Sequence, residues 1–409
     1  MNASRIRSIV LALVFGGALA CDQSVTFLGE SDGGGDGGGA TDTYWPVPLD
    51  AGGDEATWRD SAAPWTPDPV PYCEAQFYPM PFDLWSDASG IYVLFGWQDT
   101  RPDPSGSGAW MIDEYPELSI SYNGGLGWTE FYRGSCDDIS RGACVSDLGG
   151  LLEGRVLGWG SYTPVYGFEP GMAERMWEEL SNIGSLFVVN DHLAYAMWQA
   201  GPDSRVVRYD GTTWSPVPVA LPFEMAEYGR IWADENDVFV AGGSAVLLSL
   251  DGDEWRIHDP GTVVDLASIW GFGGDDVWVG AYDGALLHYD GTAWSNVPWP
   301  SLDDGSLCNE EHAIHGMWGA DGILYFITET QFARWDGTRV EVLAHWPRTY
   351  DDTPGAFACA GALWPVALWG NSPTEVFLAV ARPAEDGRGG AYCDGIAVLW
   401  WDGAVLRQI

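Results

Sequence analysis

The sequence predicts an all-β fold built from repeated four-stranded units, and three observations support this prediction. Short apolar runs with the two-residue period of strands recur, whereas segments with a helical period are nearly absent. Turns rich in Gly, Asp and Asn separate these runs. One segment, Ile269–Trp294, recurs in imperfect copies from about Leu84 to the C-terminus. Four strands in about 40–50 residues are typical of a β-propeller blade.

Each unit begins with an apolar run that ends in an aromatic residue, which we call the inner anchor. A second apolar run follows after a short turn, and the two runs are predicted to form a hairpin. The inner anchors are Trp85, Phe187, Trp232, Trp270, Trp318 and Trp369.

The third run of a unit ends at a second anchor, which an Asp-Gly pair follows in most copies. Asp-Gly supplies the positive φ angles of a two-residue hairpin turn, so a fourth, outer strand is predicted after it. The second anchors Tyr209, Leu250 and Tyr289 are 41 and 39 residues apart, which agrees with the length of a blade.

The number of blades depends on one degenerate unit between Cys144 and Leu180. Its candidate strands are Arg155–Leu157, Pro164–Tyr166 and Met176–Trp177. With this unit the chain has seven blades, and without it six.

The N-terminal segment has the features of an export signal. Arg5 and Arg7 precede an apolar stretch, Ile9–Ala20, that is too short to span a bilayer. The sequence Ala-Leu-Ala-Cys that ends at Cys21 resembles the lipobox of bacterial lipoproteins. This resemblance implies acylation of Cys21 and a lipid anchor at the bacterial cell envelope, on the outer membrane or cell surface. An ordinary secretory signal is the alternative.

These features divide the chain into three parts. Residues 1–20 form the signal peptide, residues 21–71 a disordered tether rich in Gly and Pro, and residues 72–409 the propeller. The composition of the tether does not allow it to bury enough apolar surface to fold.

Two short motifs resemble known propeller repeats. Ser121–Trp128 resembles the Asp-box of sialidase-like propellers, with Asn123 at the aspartate position, and in that family the box is a structural hairpin. The pair Gly242-Gly243 and the spacing from aromatic residue to Trp are kelch-like. Each resemblance covers a single blade and implies no catalytic residue.

The formal net charge of the 409 residues is −41, and no lysine is present. Such a charge disfavours nucleic acids and anionic lipid surfaces and favours cations or basic partners. Solubility of the protein at high ionic strength explains the negative charge equally well. Contact with a membrane is therefore expected only through the lipid anchor.

The two faces of the predicted propeller differ. The strand 1–2 and 3–4 turns are short and define what we call the turn face. The strand 2–3 loops and the blade-to-blade connections carry long insertions and define the insertion face, which we predict to be the binding face. The insertions are Gln98–Glu117, Gly134–Gly149, Ser301–Ile314, Arg348–Ala362 and Arg382–Asp394.

Six cysteines besides Cys21 map to the insertion face, and an even number in an exported chain suggests disulfides. Cys308 and Cys359 each lie ten residues before an inner anchor on neighbouring blades. The expected pairs are Cys136–Cys144, Cys308–Cys359 and Cys73–Cys393, of which the last would fasten the ring.

Candidate ligand-binding residues lie on the same face. Twelve of the 24 tryptophans occupy repeat positions and are expected in the core. Among the others, Trp110 and Trp346 are the candidates for stacking on a ligand. Glu310, Glu311, His312 and His315 are candidate ligands for a metal such as zinc. An acidic rim could bind calcium or a basic partner, although no EF-hand pattern is present. Its candidates are Asp303, Asp304, Glu310, Glu311, Asp351 and Asp352.

Two functions fit these observations. The first is a binding module for a protein or polysaccharide at the cell envelope, with no required cofactor. The second is a glycan hydrolase or lyase on the same scaffold. A cluster of carboxylate, arginine and tyrosine side chains that converge where the inner strands enter the channel would favour the enzyme. A flat or loop-covered face without such a cluster would favour the binding module.

Overall fold

The structure, a computed structural model, contains seven four-stranded antiparallel sheets and one two-stranded sheet. A short 3-10 turn, Gly243–Ala245, is the one helical element among the described residues. Those residues include no helix long and apolar enough to cross a membrane. The structure describes residues 77–87, 90–102, 110–123, 128–135, 145, 147–152, 154–160, 164–169, 172–198, 204–220, 229–251, 254–300, 312–346, 348–350, 359–361, 363–385 and 391–409.

Each four-stranded sheet is one blade, formed by four consecutive strands of the chain. The first four blades are β1 (Phe77–Asp87), β2 (Gly90–Pro102), β3 (Trp110–Asn123) and β4 (Trp128–Ser135); β5 (Asp147–Leu152), β6 (Arg155–Trp159), β7 (Pro164–Glu169) and β8 (Met172–Ser181); β9 (Ile183–Asn190), β10 (Leu193–Trp198), β11 (Arg205–Tyr209) and β12 (Trp214–Ala220); β13 (Arg230–Ala233), β14 (Val238–Ala241), β15 (Leu247–Asp251) and β16 (Glu254–His258).

The last three blades follow the same order. They are β17 (Leu266–Gly273), β18 (Asp276–Ala281), β19 (Leu286–Tyr289) and β20 (Trp294–Asn296); β21 (Gly316–Ala320), β22 (Ile323–Ile327), β23 (Gln331–Trp335) and β24 (Val340–His345); β27 (Trp364–Ser372), β28 (Glu375–Glu385), β29 (Ala391–Trp401) and β30 (Leu406–Gln408). The two-stranded sheet, β25 (Arg348–Tyr350) and β26 (Cys359–Gly361), lies in the connection before the seventh blade.

The first strands of the seven blades form a closed ring. In order, β1, β5, β9, β13, β17, β21 and β27 each pack against the next, and β27 packs against β1. This order confirms the propeller and the count of seven, because the degenerate unit folds as β5–β8. All six inner anchors lie on these innermost strands, as the sequence predicts.

The ring is closed by side chains of the first and seventh blades. Leu84 and Val93 share a buried apolar cluster with Phe377. The Ser86 hydroxyl donates to Asn371 Oδ1 (3.0 Å), and Asn371 Nδ2 donates to the Asp87 carbonyl (3.2 Å). These contacts join the two ends of the chain independently of any disulfide.

The apolar core is divided among the interfaces between neighbouring blades. The second anchors pack back onto the preceding blade, as Tyr289 does on Phe239 with ring centroids 6.1 Å apart. At the inner strands, a tryptophan of one blade lies over a glycine of the next. A Cβ atom on Gly271 would lie 2.6 Å from the Trp232 ring, so this contact requires glycine.

Most of the Asp-Gly turns are longer than the sequence suggests, although Asp251 pairs with Glu254 as predicted for a two-residue turn. Tyr209 pairs with Trp214 and Tyr289 with Trp294, which leaves four-residue loops instead of two-residue turns. Gly291 has the expected positive φ of 84°. The loop is organised mainly by the aspartate side chain, since Asp290 Oδ1 accepts hydrogen bonds from the Thr292 and Ala293 amides.

The insertions also differ from the loops that we predict, because much of their length is β-structure. β2 and β3 pair as far as Pro102 and Trp110, and β28 and β29 as far as Glu385 and Ala391. The insertion at 348–362 contains the β25–β26 hairpin, which packs on β28. We call these three features the ribbons, and they all lie on the insertion face.

Candidate functional site

The candidate site is the mouth of the central channel on the insertion face. The inner strands run from this face toward the turn face, because the β1–β2 and equivalent turns lie at their far ends. A residue that precedes an inner anchor therefore lies nearer to the insertion face than the anchor does. This order places two different layers of side chains along the channel.

The deeper layer is a cluster of aromatic rings that converge across the channel. The Trp270 ring lies 6.2 Å from Trp318, 5.8 Å from Trp369 and 6.2 Å from Phe187, on three other blades. Trp85 continues the cluster from the first blade, 6.4 Å from Trp369. We call this cluster the aromatic plug.

The plug refines the role predicted for the repeat tryptophans. Second-anchor residues such as Trp335 and Trp401 pack between blades, as expected. The inner anchors instead converge across the channel axis. The indole N–H groups of Trp85 and Trp270 are buried and have no hydrogen-bond partner among the described residues.

The upper layer is a ring of mostly polar residues, each two positions before an inner anchor. Asp83, Ser185, Arg230 and Ser268 precede Trp85, Phe187, Trp232 and Trp270 in this way. We call this layer the polar ring.

Two members of the polar ring hold the next blade by the same kind of bond. Asp83 Oδ2 accepts from the Leu148 amide (2.7 Å), and the Ser185 hydroxyl oxygen accepts from the Ile231 amide (3.2 Å). Leu148 thus corresponds to Ile231, so Asp147 occupies in the second blade the place of Arg230 in the fourth.

Asp83 is the most perturbed acid of the described chain. Its Oδ1 also accepts from the Leu84 amide (2.8 Å). Burial, followed by the negative charge of Asp147, raises the pKa of Asp83 to about 8, although the two amide bonds and Arg230 act in the opposite direction. The residue retains some accessible surface, as expected of a side chain that lines a channel.

Arg230 is a cation that acts on Asp83. It belongs to the fourth blade and Asp83 to the first, which are as far apart as a seven-membered ring allows. Its charge nevertheless lowers the pKa of Asp83, so the two groups influence each other across the channel. The mouth therefore combines a carboxyl that is mostly protonated at neutral pH, a second acid and an arginine.

On the turn face, the pKa values of aspartates are lowered instead of raised. The hydroxyl of Thr292 and the amides of Thr292 and Ala293 lower the pKa of Asp290 to about 2, and Thr338 does the same for Asp336. These carboxylates are exposed and satisfied within their own turns. They stabilise hairpins and do not converge on a common point.

Most of the predicted site residues lie outside the described residues. This applies to the following residues: Cys21, Cys73, Cys136, Cys144, Asp303, Asp304, Cys308, Glu310, Glu311, Asp351 and Asp352. The predicted lipid attachment, disulfides and acidic rim therefore stay predictions. The backbone places Trp110 at the start of β3, Cys359 in β26 and Cys393 in β29, which agrees with their assignment to the insertion face.

The histidines give no support to the predicted metal site. Gly284 lies next to His312, and His315 Nδ1 is 3.3 Å from the Ala313 carbonyl oxygen. Within the described part of the chain, no three His, Cys, Asp or Glu side chains form a group that could hold a metal ion. Glu310 and Glu311 lie beyond that part.

One predicted ligand-stacking residue is wrong. Trp346 is 5% exposed and belongs to the core between the sixth and seventh blades. Its amide donates to the Thr330 carbonyl, which draws it onto the preceding hairpin. A tryptophan just after a strand is thus used to close a blade, not to bind a ligand.

The polar ring is the part of the site that the sequence interpretation missed. The alignment of the repeats could have revealed it, because Asp83 and Arg230 each lie two residues before an inner anchor. Asp147 was hidden because the second blade has no aromatic anchor to align it.

No model of a known protein family matches the chain, and no curated protein matches its sequence. Solved structures resemble it in fold. The WD40 β-propeller domain of Doa1 is 9% identical, with 82% of this chain and 93% of that chain covered and a TM-score of 0.46. YCF48 from Cyanidioschyzon merolae is 10% identical over 81% and 97%, with a TM-score of 0.47. The extracellular domain of BT4673 from B. thetaiotaomicron is 11% identical over 64% and 38%, with a TM-score of 0.42.

Proposed function

We propose that this chain is a lipoprotein of the bacterial cell envelope whose propeller binds a protein or polysaccharide through the insertion face. The observation that carries the proposal is the asymmetry of the two faces. All three ribbons lie on the insertion face, whereas the described turns on the opposite face are short. Long elaborations on one side of a rigid scaffold are the usual place for recognition.

The binding test uses the full-length chain in detergent. Wild type and a variant whose Gln98–Glu117 ribbon is replaced by a tight turn are applied to arrays of envelope polysaccharides and to immobilised envelope proteins. The control exchanges the turn-face loop 210–213 for loop 290–293. We expect the ribbon variant to lose at least tenfold in affinity and the control to bind as wild type does. Equal binding by both variants would refute the assignment of the face.

The anchor requires its own test. We expect wild type to incorporate a palmitate analogue and to fractionate with membranes, and Cys21→Ser to lose the label and become soluble. Peptide mapping of the unreduced protein should find Cys136–Cys144, Cys308–Cys359 and Cys73–Cys393, and a structural disulfide contributes about 2–4 kcal/mol. Free thiols or other pairs would contradict this part of the proposal.

A second function, glycan cleavage, is favoured by the polar ring. General acid catalysis on glycosidic bonds uses a carboxyl group whose pKa is raised by its environment, with a second acid nearby. Asp83, with a pKa of about 8, would be the acid, and Asp147 its charged partner. Arg230 would orient an anionic or hydroxylated substrate.

The enzymatic function is tested on a panel of envelope glycans by the release of reducing or unsaturated ends. If it holds, Asp83→Asn and Asp147→Asn lower kcat by at least 100-fold, whereas the turn-face variant Asp290→Asn does not. If wild type releases no product while polysaccharide or protein binding is retained, the binding module stands alone.

A further inference from the structure

Three loops on the insertion face of the fourth and fifth blades form a second surface. They are 242–246 between β14 and β15, 259–265 between β16 and β17, and 282–285 between β18 and β19. We call this surface the ledge. None of its residues belongs to the polar ring or to the aromatic plug.

Hydrogen bonds of Asp265 and Leu266 join the three loops into one unit. Its Oδ1 accepts from the Ser244 amide (2.5 Å), and its carbonyl accepts from the Tyr282 amide (3.0 Å). The Leu266 amide donates to the Gly242 carbonyl (3.2 Å). The ledge is therefore preorganised, so a partner would not have to order it on binding.

The ledge presents apolar side chains to solvent. Val263 is 92% exposed and Tyr282 is 38% exposed, and the bond from the Tyr282 amide to the Asp265 carbonyl joins the two loops that carry them. Turns at Asp259 and Thr262 hold the loop that carries Val263, since Asp259 Oδ1 and the Thr262 hydroxyl accept amide hydrogen bonds. Because the loop is ordered and holds the Val263 side chain in solvent, this side chain is available to pack against an apolar side chain of a partner.

The charge of the ledge has one sign. Asp259, Asp265 and Asp283 lie within the three loops, and these loops contain no arginine or lysine. The carboxylates of Asp259 and Asp283 accept hydrogen bonds in their own turns, which leaves their negative charge exposed. A partner that covers Val263 would meet this field, so a cationic partner is complementary and an anionic one is repelled.

We propose that the ledge is a docking surface for a basic polypeptide segment that carries an apolar side chain. The apolar side chain would cover Val263 and Tyr282, and arginine or lysine side chains would lie along Asp259, Asp265 and Asp283. The proposal rests on the proposed function and deepens it, because it names the chemistry of a partner for the same face. It does not require that the channel mouth bind anything.

The test uses the full chain and two fluorescein-labelled 12-residue peptides. Both contain two leucines among serine and glycine, and they differ in four arginines against four glutamates. Binding is measured by fluorescence anisotropy at 50 and 500 mM NaCl. Val263→Ser is paired with the control Ile257→Ser, since Ile257 is 76% exposed on an outer strand. Asp283→Asn is paired with Asp290→Asn, which has the same turn role on the other face.

We expect the arginine peptide to bind and the glutamate peptide not to bind. Val263→Ser should weaken binding about tenfold, since a buried valine contributes that much to an apolar contact. Asp283→Asn should weaken it about two- to fivefold at low salt and less at high salt. Both control variants should match wild type. If Val263→Ser binds no more weakly than Ile257→Ser, or if both peptides bind equally, the proposal is overturned.

Two other occupants are separated by the same variants. If sedimentation velocity shows wild type to be a dimer and Val263→Ser a monomer, the ledge contacts a second copy and the proposal fails. If deletion of residues 22–71 raises peptide affinity as Val263→Ser lowers it, the tether is the native occupant and the proposal also fails. Loss of polysaccharide or protein capture in the ribbon variant, with Val263→Ser unaffected, would overturn this inference and leave the proposed function intact.

Discussion

Aspartate residues have different roles on the two faces of the propeller. On the turn face, Asp290 and Asp336 accept hydrogen bonds from their own turns and have a pKa of about 2. At the channel mouth, Asp83 accepts bonds from the next blade, is surrounded by protein and has a pKa of about 8. Satisfied, solvated carboxylates stabilise hairpins, whereas an enclosed carboxylate beside another acid is poised to exchange a proton or to meet a ligand.

The loops of the turn face are similar from blade to blade, whereas those of the insertion face vary. Turn-face loops repeat one solution, in which an aspartate, a glycine with positive φ and often a threonine close four residues. The insertion face carries ribbons and the ledge, which differ from blade to blade. A face that repeats maintains the scaffold, and a face that varies is available for recognition.

The largest effect is expected for the aromatic plug, which lies between the two faces. Trp270→Ala removes contacts with three other blades and should lower the free energy of unfolding by about 3–5 kcal/mol. Guanidinium denaturation followed by circular dichroism measures it, with Trp255→Ala on an outer strand as the control. A smaller loss for Trp270 than for Trp255 would show that the plug does not hold the ring.

The next effect is the pH dependence of stability at the channel mouth. Because the native state holds a proton on Asp83 that the unfolded chain releases near pH 3.8, this group makes unfolding easier as the pH rises from about 4 to about 8. The slope is at most about 1.4 kcal/mol per pH unit. Denaturation at pH 5 and pH 8 should show a smaller difference for Asp147→Asn, which removes the neighbouring charge. An unchanged difference would contradict the assigned coupling.

The turn-face carboxylates should respond in the opposite direction and in another range. Their lowered pKa values contribute stability above pH 3.8 that is lost as the pH falls toward 2. The turn-face carboxylates therefore change the stability below pH 3.8, whereas Asp83 changes it between about pH 4 and about pH 8.

A smaller effect is expected where a tryptophan lies over a glycine. Gly271→Ala places a Cβ 2.6 Å from the Trp232 ring and should lower the free energy of unfolding by about 1–3 kcal/mol. Gly273→Ala is the matched control, since its nearest neighbour is the Asp275 carboxylate at 3.3 Å. Equal stability of the two variants would show that the blades shift freely.

The smallest effect is expected for one turn of the turn face. Asp290→Ala removes the acceptor of three hydrogen bonds and should lower the melting temperature by a few degrees or less, without change in binding at the insertion face. Asp290→Asn keeps the Oδ1 acceptor and should melt close to wild type. A binding defect in either variant would break the functional separation of the faces.

The fold could be predicted from the sequence because large aromatic residues mark the same position in most of the repeats. Six anchors at one register, followed by Asp-Gly turns, identify the inner and third strands, and the spacing brings out even the degenerate second blade. The ribbons were mistaken for loops because Gln98–Glu117 contains Pro, Gly and charged residues. Pairing with a neighbour extends β2 and β3 through them, and strand propensity gives no signal for such tertiary support.

The site was less accessible because it depends on the closure of the ring. Asp83 and Arg230 are 147 residues apart in the sequence, and nothing local indicates that the first and fourth blades share a channel. Exposure was equally hidden, since Trp346 resembles a free aromatic residue in the sequence and is buried in the structure. Val263 looks like an ordinary strand residue and is almost fully exposed.

The chain enters the ring through β1, and this entry has a mechanical consequence. β1 begins on the insertion face and carries both Asp83 and Trp85. If Cys21 is anchored as proposed, tension from the membrane reaches the channel mouth first, along the strand that also closes the ring. If residues 21–71 form the flexible tether that their composition predicts, these 51 residues would span about 40 Å at rest, so a bound partner further away would load that strand. The propeller would then sense strain between its anchor and its partner.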